Sequence, residues 1–332
     1  KEEDASTVTG MLIKTSLRGV DSHGCFWMPY YIEGVKNGQI KVNPNVKIIK
    51  DSTVITLIDG DNGFGPVIAM QATKKTIEKA KKSGIAIATI KNLSHIGTMA
   101  YYAEEIVKNR MIAFVTTNSP SDVAPYGGVE KLLGTDPICY GFPVDENLSI
   151  ILDMATSVVA AGRIAVYASK GQMLPEKWVV DKYGNPSTDP RSFFDNGSLL
   201  PLGGLLFSGY KGYGLGLSVE LLAGVLTGSK TAPNLPKGWH IQGGVIIEAL
   251  DIESFRPYDE YKEAVMDLIN RIKSAKLMKG FNEILLPGEP ETREMSRRKK
   301  EGIPITEDVW GKMMKVAQDL GVEPPKTAHI VP

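Results

Sequence analysis

The chain has 332 residues, of which 42% are hydrophobic, with 38 lysines and arginines set against 38 aspartates and glutamates. That length supports one large domain or two ordinary ones around a substantial core. A formal net charge of zero gives no global field to draw nucleic acid or an anionic membrane, so small-molecule chemistry suits the balance better.

The N-terminus enters a helical pattern at once, with Val8, Leu12 and Leu17 on one face, as though the chain began inside a longer helix. Residues 1–35 read as helical. Lys1-Glu2-Glu3-Asp4 lacks the basic and apolar regions of a signal peptide. From about 45 to 155, β-branched runs at Val54–Asp59, Ile85–Ile90, Met111–Thr117 and Ile150–Asp153 alternate with helical stretches at Val67–Lys82 and Met99–Asn109. Gly84 sits where a helix C-cap belongs. Such alternation argues for an α/β layer.

The span Leu174–Gly212, rich in Pro, Gly, Asn and Ser, reads as an extended, loop-dominated region. A helix at Tyr213–Leu226 and a strand at Val245–Leu250 follow. The most apolar stretch, Gly214 to Gly228, is short and broken by Glu220, which suits a buried helix rather than a membrane span. Tyr261–Leu277 is amphipathic through Val265, Leu268, Ile269 and Ile272. Thr306, Glu307 and Asp308 start a last helix, and Gly321 stops it. The fold expected is α/β (α+β), with an α/β domain at 46–255 inserted into a helical domain built from 1–45 and 256–332. Cys25 and Cys139 are too few for a disulfide framework and read as reduced thiols in the cytoplasm.

Two of the four histidines stand in unusual company. Asp21-Ser22-His23-Gly24 ends the first helical stretch, and Ser94-His95-Ile96-Gly97 follows the strand Ile85–Ile90. Open α/β sheets place ligands just past the carboxyl ends of strands. An imidazole there can move a proton near neutral pH. Each histidine reads equally well as a loop residue bonded to backbone. Gly60, Gly63 and Gly65 do not fit G-x-G-x-x-G, and Gly212-Tyr213-Gly214-Leu215-Gly216 follows a loop. Walker loops, H-E-x-x-H and paired Cys-x-x-Cys are absent, and nothing points to a metal. The run Arg297-Arg298-Lys299-Lys300, flanked by Glu291, Glu294 and Glu301, reads as a solvated helix face rather than a nucleic-acid site.

Taken in order, the motifs form a series. They are Asp-Ser-His-Gly at 21–24, Tyr-Ile-Glu-Gly at 31–34, Asp-Asn-Gly-Phe-Gly at 61–65 and Ser-His-Ile-Gly at 94–97. Ala-Pro-Tyr-Gly-Gly at 124–128, Leu-Asp-Met-Ala-Thr-Ser at 152–157 and Thr-Asp-Pro at 188–190 continue it. Gly-Tyr-Lys-Gly-Tyr-Gly-Leu at 209–215 and Leu-Pro-Gly-Glu at 286–289 complete it. Each motif is weak alone, but the ordered series, spanning nearly the whole chain, resembles the malate/L-lactate dehydrogenase type-2 family. That family includes malate, L-sulfolactate and ureidoglycolate dehydrogenases, diketogulonate reductase and a cyclic-imine reductase.

The resemblance implies a non-Rossmann, mixed-sheet NAD(P)-binding fold, a homodimer, and a site between the helical and α/β parts. It implies NAD or NADP as cofactor and a small 2-hydroxy or 2-oxo acid as substrate. His23 matches the usual proton donor, with His95 in the same pocket and Ser22 beside the substrate. Asp189 would orient an imidazole, although an aspartate before Pro190 also reads as a turn residue. Ser119, Asp153, Met154, Ala155, Lys211, Pro287, Gly288 and Glu289 match cofactor-contacting positions. Lys211 alone reads as a solvated loop lysine, and Pro287 to Glu289 as a simple turn.

Two positions depart from the pattern. Trp27 stands where family members commonly carry an arginine that binds the substrate carboxylate. An indole offers one N–H and no charge. Arg163, Lys170 or Arg191 would then take the carboxylate, or an aromatic wall would favour a bulkier substrate such as a cyclic-imine carboxylate. Asp136 replaces a usual asparagine. The leading reading is an NAD(P)-dependent 2-hydroxy-acid dehydrogenase. Competing readings are a lyase with Lys211 as Schiff base and His23 as proton shuttle, and a binding protein that kept the scaffold and lost turnover.

Overall fold

The computed structural model describes residues 1–145, 148–236, 238 and 243–324. Its strands are β1 Lys47–Asp51, β2 Ile55–Gly63, β3 Ile85–Leu93, β4 Met111–Thr117, β5 Ile138–Pro143, β6 Ser149–Met154, β7 Val179–Val180, β8 Pro186–Ser187, β9 Ser198–Leu199 and β10 Val245–Asp251. Its helices are α1 Glu2–Leu17, α2 Met28–Lys36, α3 Gly65–Ser83, α4 Ala100–Val107, α5 Ala161–Ser169, α6 Pro190–Phe194, α7 Gly209–Val219, α8 Tyr258–Lys273, α9 Glu289–Glu301 and α10 Glu307–Leu320.

Seven strands form one mixed sheet in the order β1-β2-β3-β10-β4-β5-β6. Only β2 and β3, joined by the crossover helix α3, pair in parallel. The chain-distant β10 wedges between β3 and β4, antiparallel to both. Alternation sets which side faces in. Ala86, Ala88, Ala113, Val115 and Ala249 point to α3 and α4 and are fully buried. Small residues on the strands let Ile68, Ala69, Ala72, Ile77 and Ala80 of α3 pack closely. Gly84, at φ 79°, ends that helix in the left-handed conformation, as its position predicts. The other side of the sheet carries half-buried Leu57, Ile87 and Phe114 and exposed Tyr140.

Leu174–Gly212 is more ordered than its composition suggests. It holds the sheet β8-β7-β9 and α6 over a second core of Leu174, Val179, Phe193 and Leu199, joined by Val123, Leu133 and Ile164. The expectation of a buried helix at 214–228 is also corrected. α7 and the π-helical turns that continue it to Leu226 bury Gly209, Gly212, Gly216 and Glu220. They turn Leu221 (55% exposed), Val225 (56%) and Leu226 (65%) outward. Glycines set that orientation: a Cβ at Gly212 would collide with the Leu202 backbone.

The chain ends meet beside the main sheet. α1 packs on α3, α4 and α9, and α2 on α10. Thr306 occupies the N-cap of α10, although its hydroxyl makes no capping bond, and Gly321 closes the helix at φ 65°.

α3 starts directly on the loop that follows β3. Gly65 N–H donates to Ser94 Oγ at 2.8 Å, and a Cβ at Gly65 would strike the Ser94 carbonyl. Gly65→Ala should therefore lower stability by about 1–3 kcal/mol through overpacking, read by urea denaturation. An unchanged midpoint would contradict this packing.

Candidate active site

α1 ends at Leu17, and two 3₁₀ turns, Asp21–His23 and Cys25–Trp27, fold back along it. Gly24 permits this contact, since a Cβ there would collide with Ser16 Oγ, which accepts the Cys25 N–H at 2.9 Å. Arg298 of α9 crosses the loop from the other end of the chain. Its guanidinium donates to the Ser16 carbonyl at 2.7 Å and to Asp21 Oδ2 at 3.0 Å. Arg297, Lys299 and Lys300 are exposed, as a solvated face requires, but Arg298 is only 7% exposed. The reading of that run is corrected at this residue. Its charge fixes the His23 loop.

His23 and His95 come together, their rings 5.5 Å apart. Ser22 Oγ lies 3.0 Å from His23 Nδ1. Behind them, Trp27 stacks on His95 at 3.9 Å and 12°. The Gly97 N–H donates to His95 Nδ1 at 3.3 Å, which makes that nitrogen an acceptor and assigns the neutral ring's proton to Nε2. Tyr31 Oη sits 3.1 Å from both His95 Nδ1 and the His95 carbonyl. Burial disfavours the imidazolium form of both rings. It pushes the His23 pKa down to about 4, while His95 falls well below its ordinary value through burial and then through His23. His23 keeps a partly open edge on the adjoining cavity, where water moderates this shift.

That cavity, about 570 Å³, runs from His23 past the end of β6 to the loop before α9. Ser22, His23, Asp153, Met154, Ala155, Pro287 and Gly288 line it together. Val20, Leu152, Met154 and Leu286 give it apolar walls, and Gly97 and Gly288 present main chain. The size and mixed lining suit a small-molecule ligand. Apolar walls fit the face of a nicotinamide ring, and the Arg18 guanidinium fits a phosphate or carboxylate. Asp153 anchors the floor, with Oδ2 accepting the Ala100 N–H at the start of α4 at 2.8 Å. Crowding by protein pushes its pKa up to about 6, against that bond and the nearby Arg18 charge. Its open side meets solvent in the cavity.

Other expected positions lie elsewhere. Trp27 is 4% exposed and donates its indole N–H to the Ser22 carbonyl at 2.7 Å, so it backs His95 instead of walling the cavity. Asp189 caps α6 through the Arg191 N–H and pairs with the Arg191 guanidinium at 2.8 Å; the structure brings it to neither imidazole. Lys211 is exposed in the first turn of α7. Glu289 accepts the Leu286 N–H at 2.9 Å, which shapes the Pro287–Gly288 turn. Ser119 stands behind the wall, its Oγ accepting the N–H of Thr135, a cavity residue, at 3.0 Å.

Sequence reasoning missed Arg18, Thr135 and Glu291, which also line the cavity. Arg18, 9% exposed, pairs with Glu104. Its one available signal was a cation directly before the glycine that opens the His23 loop. Arg163, Lys170 and Arg191, the cations expected to bind a carboxylate, are exposed and not part of the wall.

Residues 1–314 match the family model described as malate/L-lactate dehydrogenase. The chain is 40% identical to a malate dehydrogenase of Pyrococcus abyssi, covering 97% of this chain and 90% of the relative. It is 36% identical to a malate/(S)-sulfolactate dehydrogenase of Methanothermus fervidus, covering 97% and 93%. The solved structure of malate dehydrogenase from Pyrococcus horikoshii superimposes with a TM-score of 0.90 at 36% identity, over 98% of this chain and 91% of that one.

Arg298→Ala should cost about 1–3 kcal/mol of stability, because it strips a buried carbonyl and a half-exposed carboxylate of their donor. Thermal unfolding checks this, and a melting temperature equal to wild type would contradict the clamp.

Proposed function

The chain belongs to the malate/L-lactate dehydrogenase family, and from that membership we propose that it interconverts a small 2-hydroxy acid, of the malate, lactate or sulfolactate kind, with its 2-oxo acid. Membership makes the chain an oxidoreductase using a nicotinamide cofactor, and the proposal admits NAD or NADP. One observation carries the reading: His23 shares a single cavity with Asp153, Met154, Ala155, Pro287 and Gly288.

A bound nicotinamide supplies the hydride acceptor in oxidation and the donor in reduction. His23 does the proton work. Its depressed pKa keeps the imidazole neutral at pH 7, ready to take the hydroxyl proton as hydride leaves the same carbon. In the reverse direction it must first be protonated, and an anionic substrate beside it favours that form. Arg18 holds the substrate carboxylate, while Glu104 keeps the guanidinium in place. His95, stacked on Trp27 and bonded by Tyr31, positions His23 from behind.

The strand order, with β10 inside the sheet, supports a binding mode other than Rossmann's. Packing of α1 on α9 and α2 on α10 supports a discontinuous helical part at 1–45 and 256–332. Two features favour this reading over a Schiff-base lyase and a cyclic-imine reductase. Exposed Lys211 has no desolvating pocket for a Schiff base, and buried Trp27 offers no wall to a cyclic imine. The outward apolar face of Leu221, Val225 and Leu226 supports a homodimer. No helix among the described residues is long and apolar enough to cross a membrane. Two free thiols support the cytoplasm as the proposed compartment.

A panel of 2-oxo acids assayed by NADH or NADPH oxidation tests the reading directly, and no turnover with any would sink it. Because the His23 pKa is lowered, kcat/KM for oxidation should stay level through neutral pH and fall only toward pH 4. An acid limb at 6.5 or above would contradict the buried base. Arg18→Gln should raise KM for the acid about 10- to 100-fold, as expected for a lost charge-assisted contact, and affect kcat less. An unchanged KM would place the carboxylate elsewhere. Leu221→Asp with Val225→Asp should shift sedimentation from dimer to monomer, whereas an unaltered dimer would move the interface off the turns that follow α7.

A further inference from the structure

Behind the cavity wall lies a pair of buried acids that the proposed chemistry does not use. Asp136 ends the loop that brings Ser119 and Thr135 together, and it has no exposed surface. Glu220, on the turns after α7, is 4% exposed. Their hydrogen bonds are unequal. Glu220 accepts the Ala232 N–H at 3.2 and 3.0 Å on its two oxygens, and Asn118 Nδ2 at 3.2 Å. Asp136 Oδ1 accepts the Ser119 N–H at 3.1 Å. Asp136 Oδ2 is buried without a hydrogen-bond partner as an ionised oxygen. Around the carboxyl, Glu220 faces it from the helical turns and Gly216 of α7 lies on the Oδ2 side, while Ser119 and Gly134 of its own loop lie on the Oδ1 side. A bare carboxylate oxygen there, facing a second carboxylate, would be strongly disfavoured.

We propose that Asp136 and Glu220 share one proton, carried on Asp136 Oδ2 and donated to Glu220, and that this pair positions the Ser119–Thr135 wall for cofactor binding. One bond, Asp136 O–H···O Glu220, satisfies the orphaned oxygen and leaves a single negative charge on Glu220, where three donor contacts converge. Burial and the Glu220 charge raise the Asp136 pKa well above the carboxylate range, and burial raises that of Glu220. From Asp136 the linkage to the cavity is short. Its Oδ1 holds the Ser119 N–H, Ser119 Oγ holds the Thr135 N–H at 3.0 Å, and Thr135 lines the cavity. Space here is tight, because a Cβ at Gly134 would collide with Asp136 Oδ1 and Ser119 Oγ.

The pH dependence follows with a definite sign. A carboxyl whose folded pKa is raised stabilises the fold while protonated and loses that contribution as pH rises through the folded value. Loss of the shared proton leaves two like charges in a dry site and pushes the wall apart. Asn at 136 donates to Glu220 through Nδ2 at every pH and still accepts from Ser119.

The inference rests on the reading that the cavity takes the nicotinamide cofactor, so the test has two readouts. Affinity for NADH and NADPH is measured by fluorescence titration, and melting temperature by scanning fluorimetry, for wild type, Asp136→Asn and Glu220→Gln at pH 7 and 9.5. The wild type should lose about tenfold or more in affinity and fall in melting temperature, corresponding to one or more pKa units of linkage. Either variant should lose less than about threefold, with a flatter melting profile; Glu220→Gln decides if Asp136→Asn does not fold. Other groups titrating in this range are common to all three proteins and cancel. Equal losses in all three would overturn the proposal. Flattened melting with an unchanged affinity ratio would overturn the positioning role. If wild type binds neither NADH nor NADPH at pH 7, the cofactor reading has failed, and the melting profiles still decide whether the proton is shared.

Discussion

The contact on which the site depends joins residues 277 positions apart, Arg298 of α9 and Asp21 of the loop after α1. Neither end of the chain supplies a cavity alone. The segment after α1 brings His23 and Arg18, and the segment before α9 brings Pro287 and Gly288, to one cavity at the end of β6. A buried guanidinium that must satisfy the Ser16 carbonyl and the Asp21 carboxylate holds the two segments in one register.

Burial then governs the chemistry. Two imidazoles and a phenol packed under Trp27 cannot hold charge cheaply, so burial favours the neutral form of both rings and one edge of His23 is left open to the cavity. Asp153 is treated differently. The N-terminus of α4 and Arg18 favour its anion, while crowding works against it. Asp136 and Glu220 meet the same penalty by sharing a proton.

Period and punctuation made much of the fold legible. β4 runs over the expected Met111–Thr117, and Gly84 and Gly321 end helices where their φ values of 79° and 65° require glycine. β1 was hidden because it is an exposed edge with no alternation, and β5 because its run Ile-Cys-Tyr-Gly-Phe-Pro has one β-branched residue and is broken by Gly141 and Pro143. α9 showed only as a solvated helix face at 297–300, its bounds unread because it is polar on nearly every side. The outward face of α7 could not be read from hydrophobicity, because its glycines and Glu220 do the burying. Of the residues the ordered motifs singled out, His23, the 153–155 segment and the 287–288 turn line one cavity. They said nothing of Arg18 or Arg298. A lone arginine carries no pattern, and only packing shows which one loses its water.

A crystal structure with reduced cofactor and a 2-oxo-acid analogue tests the central claim most directly. The account predicts a nicotinamide against Met154 and Pro287, with a His23 ring nitrogen about 2.6–3.2 Å from the analogue's carbonyl oxygen, the range of a proton-transferring contact. A nicotinamide bound away from this cavity, or a His23 out of reach of that oxygen, would contradict it.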